Sequence, residues 1–93
     1  MQAWWYRVCG GLLCSDNERI VSAVRKAEES VGINCSAEYR SALIKMVELN
    51  LINRRENDRE RLNRVFGLRV SHNELWKEKK KFVERFMKEM GID

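Results

Sequence analysis

Apolar residues along this chain recur mostly at three- and four-residue steps, the period of one helix face. The longest stripe is Leu75, Trp76, Phe82, Val83, Phe86, Met87 and Met90. Lys77, Lys80, Lys81, Glu84 and Lys88 fall on the opposite face, and the stem of Lys79 can lie along the stripe with its charge outside. Ser71, followed three residues later by Glu74, has capping-box spacing, in which the hydroxyl accepts an orphan helix N–H and the carboxylate reaches back to the cap. With Gly91 as the stop, the pattern predicts a helix over 72–90. Asn53 and Glu56 repeat the box for a preceding helix that runs to Phe66. Leu62, Val65 and Phe66 are its apolar edge, and Gly67 is its left-handed terminator.

Upstream, Ser15 with Glu18 is another box. Ile20, Val24, Ala27 and Val31, with Val21 alongside, predict about four turns ending at Gly32. Asn34 or Ser36 starts a third helix whose buried candidates are Tyr39, Leu43, Ile44, Met46 and Val47. The Leu49-Asn50-Leu51-Ile52-Asn53 stretch is expected to turn sharply into the next helix. Trp4, Trp5, Tyr6 and Val8 form a short helix or extended piece broken at Gly10 and Gly11. Aromatics this dense are normally buried. The simpler expectation is that they cover the core of their own domain; the functional alternative makes Trp4, Trp5 and Tyr6 an anchor for a partner.

Period-two runs are scarce and proline is absent, so the expected class is all-α. At 93 residues that means one domain, a bundle of four or five helices. Residues 1–52 are the support, and 53–93 are a helix-turn-helix-like pair. Residues 1–52 hold six Lys+Arg against six Asp+Glu. Residues 53–93 hold 12 against 8 and carry the whole net charge of +4. A basic excess confined to one half points to a polyanionic partner, although interspersed carboxylates temper it.

No apolar run approaches a membrane span, and Gln2 and Trp4 do not make a basic leader, so the default is a cytoplasmic protein with no membrane partner. Cys9, Cys14 and Cys35 are an odd set, expected to be reduced and to serve as small core residues. With His72 they could be drawn as a zinc site, but they lack the paired short spacings of one. No phosphate loop, nucleophile elbow or histidine pair appears, so neither enzymatic activity nor a metal or other cofactor is expected.

Two helices joined by a short turn, the second amphipathic and basic, is the helix-turn-helix plan. The first turn of the second helix then meets base edges while flanking cations meet phosphates. Asn73 can pair with adenine and Lys77 with guanine. From Leu62 to Ile92 the chain resembles the last helix-turn-helix of bacterial sigma factors, and more closely the ArpU-type phage regulators of late genes. The likeness rests on Leu62 and Phe66, then Gly67, an apolar Leu68 or Val70, Ser71, a polar trio, Leu75–Trp76, a basic run and a Phe/Met stripe. It covers about a third of the chain. It implies a DNA-facing set of Ser71, His72, Asn73, Glu74, Lys77, Lys80 and Lys81, with Arg69 approaching phosphates from the turn; Lys88 extends the same face. The turn is up to two residues longer than in those proteins. Glu78 stands where they place an apolar residue, so burying it would demand a partner.

The expected function is a small phage or mobile-element transcriptional regulator on double-stranded DNA. The alternative is a phage-encoded inhibitor, of an anti-defence or host-enzyme type, that docks through its basic and aromatic surface on a host enzyme or nucleoprotein complex, with the Trp4–Trp5–Tyr6 cluster or Trp76 as anchor; RNA polymerase or a host protein is the protein partner considered. A third reading is a homodimer joined by the N-terminal aromatics.

Overall fold

Phe82, Val83, Phe86 and Met87 are wholly buried, and the helix that carries them, α5 (His72–Glu89), is the spine of the molecule. The computed structural model describes residues 3–53 and 58–92. The other helices are α1 (Trp4–Leu12), α2 (Glu18–Glu28), α3 (Ala37–Asn53) and α4 (Asp58–Phe66). All regular structure among the described residues is helical, so the molecule is an all-α bundle. The most extensive packing is α2 on α5; α1 and α3 also touch α5, and α4 leans on α3. The Cα radius of gyration is 12.5 Å, against about 12 Å for a compact domain of this length. No helix among the described residues is long and apolar enough to cross a membrane.

Two ties fix α2 antiparallel to α5. Arg19, at the start of α2, donates to the Met90 carbonyl (3.1 Å) at the end of α5. Past the other end of α2, the Gly32 N–H donates to the Glu78 carboxylate (3.0 Å). The same junction is clasped from α3. The Arg40 guanidinium donates to the carbonyls of Glu28 (3.3 Å) and Glu29 (2.9 Å), which the helix C-terminus leaves without intrahelical partners, and to that of Val31 (2.8 Å) in the turn beyond.

Several boundaries differ from the sequence expectation. Gly10 and Gly11 do not break the first segment; both lie inside α1. Gly10 is buried where α1 crosses α3, and a Cβ there would overlap the Leu51 carbonyl oxygen, so the missing side chain allows the close approach. The cap of α2 is Asn17, whose side chain accepts from Arg19 N (3.0 Å). Ser15 instead accepts from the Asn17 N–H. α2 ends at Glu28, one turn short of Gly32.

The Leu49–Asn53 stretch does not turn. It completes α3, because Leu51 and Asn50 are buried there, Leu51 under α1 and Asn50 against α4. Asn53 is therefore helical and not a cap, and Glu56, its expected box partner, lies outside the described residues. Asp58 at the start of α4 is buried. Its Oδ1 accepts from Arg61 Nε (2.9 Å) and Nη2 (2.6 Å), and its Oδ2 accepts from Asn50 (3.4 Å), which ties α4 to α3. Val65, expected on the apolar edge, is 63% exposed. Of the cysteines only Cys9 is a core residue; Cys14 is exposed and Cys35 half-buried. Burial, then the nearby Glu48 charge, pushes the Cys9 thiol up to about 12.

Glu48 on α3 is partly buried beside Glu28 on α2. Burial, then the Glu28 charge and a hydrogen bond with Glu28, push its carboxyl from the usual 4.5 up to about 8. A pKa raised on folding means that the native state holds the proton more tightly. The resulting stability is complete below pH 4.5 and is lost as pH rises through about 8. Glu48→Gln, which never ionises, should therefore gain in melting temperature over the parent between pH 5 and pH 8. Thermal melts across that range check this, and a pH-independent difference would contradict it. The two adjacent glycines should also part company. Gly10→Ala should cost about 1–3 kcal/mol from overpacking. Gly11→Ala, which meets nothing within 4 Å, should gain about 0.5–1 kcal/mol from helix propensity. Urea midpoints of the two variants separate these outcomes.

Candidate nucleic-acid interface

The turn between α4 and α5 is built around one asparagine. Gly67 takes φ +66°, open to glycine without penalty, and Leu68 N donates back to Asn63 O (2.9 Å) to close α4. The Asn63 side chain then bridges the turn: its Oδ1 accepts from Val70 N and its Nδ2 donates to Val70 O, both at 3.0 Å. Arg59 adds a second donor to the Val70 carbonyl (2.9 Å), and the Val70 side chain is wholly buried. Ser71 next caps α5, its Oγ accepting from Glu74 N (3.1 Å). Only this half of the expected box forms with the backbone. The Glu74 carboxylate accepts instead from the Tyr39 hydroxyl of α3 (3.2 Å). Burial, then the Glu74 charge, raises the Tyr39 pKa.

This arrangement places Arg69, Ser71, His72 and Asn73 at the exposed end of α5, with Lys77, Lys80 and Lys88 exposed along it. Glu74 and Lys81 are half-buried. Beside the turn, Arg59, Arg64 and Arg69 contribute to an open groove of about 460 Å³. Sequence reasoning did not single out Arg59, Asn63 or Arg64. Their one sequence signal was four- and five-residue spacing on α4, which any solvated helix face shares.

Glu78 is the departure from the helix-turn-helix pattern, and its side chain is only 13% exposed. It is not a stranded charge. Oε2 accepts from Gly32 N, and Oε1 meets Lys81 Nζ at 2.9 Å. Two further pairs lie on α5: Lys80 with Glu84 at 4.0 Å and Arg85 with Glu89 at 2.9 Å. Half-exposed pairs of this kind are weak and salt-screened. Even so they offset charge in the middle and C-terminal half of the helix. Among the described residues, Lys77 and Lys88 have no carboxylate within 4.0 Å. Uncompensated positive charge therefore lies at both ends of α5: Arg69, the helix N-terminus and Lys77 adjoin at the turn, and Lys88 stands in the last turn.

The aromatic segment divides. Trp5, Tyr6 and Val8 pack against the core, while Trp4 is half-exposed and meets Trp5 edge-on at 6.2 Å. Trp76, expected in the buried stripe of α5, is 50% exposed, while Leu75 and Phe82 of the same stripe are buried. Tyr6 stacks on it at 5.3 Å with 20° between the planes. Lys79 Nζ lies 5.7 Å from the Tyr6 ring centre and 5.8 Å from that of Trp76. Burial, then the Glu84 charge, raises the Tyr6 pKa. Among the described residues no three His, Cys, Asp or Glu side chains gather where they could hold a metal ion.

No protein-family model, curated protein or solved structure matches this chain.

If Asn63 sets the turn, Asn63→Ala should cost about 1–3 kcal/mol by leaving the Val70 N–H unsatisfied. It should also speed hydrogen exchange at the Val70 amide. Urea unfolding and amide exchange measure both, and an unchanged Val70 rate would show that the turn holds without the side chain.

Proposed function

We propose that this chain is a DNA-binding transcriptional regulator of phage or mobile-element type, with α5 as its recognition helix. The observation that carries the reading is the open cationic end of α5. Arg69, Ser71, His72, Asn73, Lys77 and Lys80 are exposed there together, beside a groove edged by Arg59 and Arg64. Phosphates would be neutralised from the turn and groove, while Asn73 and Lys77 reach base edges in the major groove. The helix N-terminus adds N–H donors and a favourable dipole for phosphate. The likeness of residues 62–92 to ArpU-type regulators supports the same reading. The absorbed Glu78 supports it too, since a satisfied carboxylate removes the objection that this position raised.

The half-exposed Trp4 favours a second reading, an inhibitor that docks on a host protein. A stoichiometric protein partner together with no DNA affinity would select it.

Affinity for random duplex should fall steeply between 50 and 200 mM salt. Arg69→Ala and Lys77→Ala should each lower the slope of log K against log salt by about 1. Fluorescence anisotropy titrations give these slopes. No duplex binding at 50 mM salt would remove the DNA reading.

A further inference from the structure

Trp76 is a large ring left half-exposed in a position where it is also held in place. Tyr6 stacks on it from α1, and the Lys79 ammonium sits 5.8 Å from its ring centre. A ring anchored in this way loses little freedom when it takes a ligand. Cations outnumber carboxylates around it: Lys77 is adjacent in sequence, and Lys80 and Asn73 lie four residues after it and three before it on the same exposed side of α5, with Glu84 loosely paired to Lys80 at 4.0 Å. Lys77 has no carboxylate within 4.0 Å among the described residues. An aromatic surface flanked by lysines is the arrangement that accepts a nucleobase on its ring while ammonium groups meet the neighbouring phosphates. Paired bases in a major groove present only their edges. A base that is to lie on an indole ring must be unpaired.

We infer that the Trp76–Tyr6 stack is a base-stacking platform and that the strand it takes is unpaired DNA, either single-stranded or locally opened. The inference rests on the proposed nucleic-acid binding by α5 and deepens it. Trp76 supplies the stacking surface, Tyr6 backs it, and Lys77 and Lys80 supply the phosphate contacts.

The test compares a twelve-nucleotide oligo-dT with a duplex of the same length, titrated with the full chain at 50 mM salt. Trp76→Ala, Trp76→Phe and Lys77→Ala variants are checked for parent-like circular dichroism and melting. Trp76→Ala should weaken oligo-dT binding about 5- to 150-fold, the range for loss of one base–aromatic stack, and leave duplex binding nearly unchanged. Trp76→Phe should recover most of the loss. Lys77→Ala should weaken binding to both. In a Trp4→Phe, Trp5→Phe background, oligo-dT should quench the remaining Trp76 emission. Unchanged oligo-dT affinity in Trp76→Ala, with Lys77→Ala still weakening the duplex, would overturn the platform and leave the DNA reading standing. Equal weakening of both ligands by Trp76→Ala would overturn it as well, by making Trp76 a duplex contact. No binding of either ligand by the parent would overturn both readings. Should Trp76→Ala fail to fold, the quenching measurement decides alone: emission unchanged by saturating oligo-dT would overturn the platform.

Discussion

Which side of α5 faces outward decides everything that this molecule can present to a partner, and one carboxylate pins that side. Burying Leu75, Phe82, Val83, Phe86 and Met87 supplies the driving force, roughly 1.5–3 kcal/mol for each side chain fully removed from water. Hydrophobic burial is not directional, however, and a stripe this broad would tolerate a modest rotation. Glu78 does not. Its side chain is mostly enclosed, with one oxygen on the Gly32 N–H and the other on Lys81. Turning the helix would strand an enclosed charge and an amide N–H together, and both are expensive. The Arg19 bond to Met90 holds the far end, so α5 is fixed in register against α2 at both extremities.

The outward side then inherits its character from what the inward side consumed. Lys81 answers Glu78 and Glu74 answers Tyr39, so both residues leave the set available to a ligand. Lys80 and Arg85 have acidic neighbours one turn on. What is left is Arg69, Lys77 and the polar first turn at one end of α5 and Lys88 at the other, with paired charges between them. Under the proposed function, the turn differs from the rest of α5 in joining its cations to the helix N-terminus and to the groove edged by Arg59 and Arg64. The Asn63 bridge to Val70 matters for the same reason, because it fixes where Arg69 and the first turn of α5 stand relative to the α4 arginines.

The support helices are joined by polar clasps as well as by the core. Arg40 closes the end of α2, and Asp58 with Asn50 and Arg61 fastens α4 to α3. The second satisfies the buried Asp58 and Asn50, which would otherwise lack partners. Glu48 beside Glu28 is the reverse case, a pair of like groups between α2 and α3, relieved by holding a proton. Gly10 is the steric counterpart, its missing Cβ setting how closely α1 approaches α3.

Much of this was legible in the chain itself. The helical class, the stripe of α5, its Ser71 cap and the Gly67 and Gly91 stops are local properties, fixed by 3.6-residue periodicity and by which residues tolerate capping geometry. The exposed candidates along 69–88 followed from the same period. The errors came where tertiary contact outweighed local preference. Leu49–Asn53 stayed helical because other helices cover Leu51 and Asn50, and Gly10 stayed helical because α3 passes close by. Trp76, apolar and in phase with the stripe, was left to the surface beside Tyr6. The partners of Glu78, Glu74 and Asp58, the arginines beside the turn and the stacking of two rings from opposite ends of the chain all depend on residues brought together only by folding. By itself, then, the sequence determined the helical class, the buried stripe and ends of α5 and the charge carried along it. The tertiary structure decided which of those charges were neutralised and which ring was left exposed, because pairing and burial depend on spatial neighbours rather than on order along the chain.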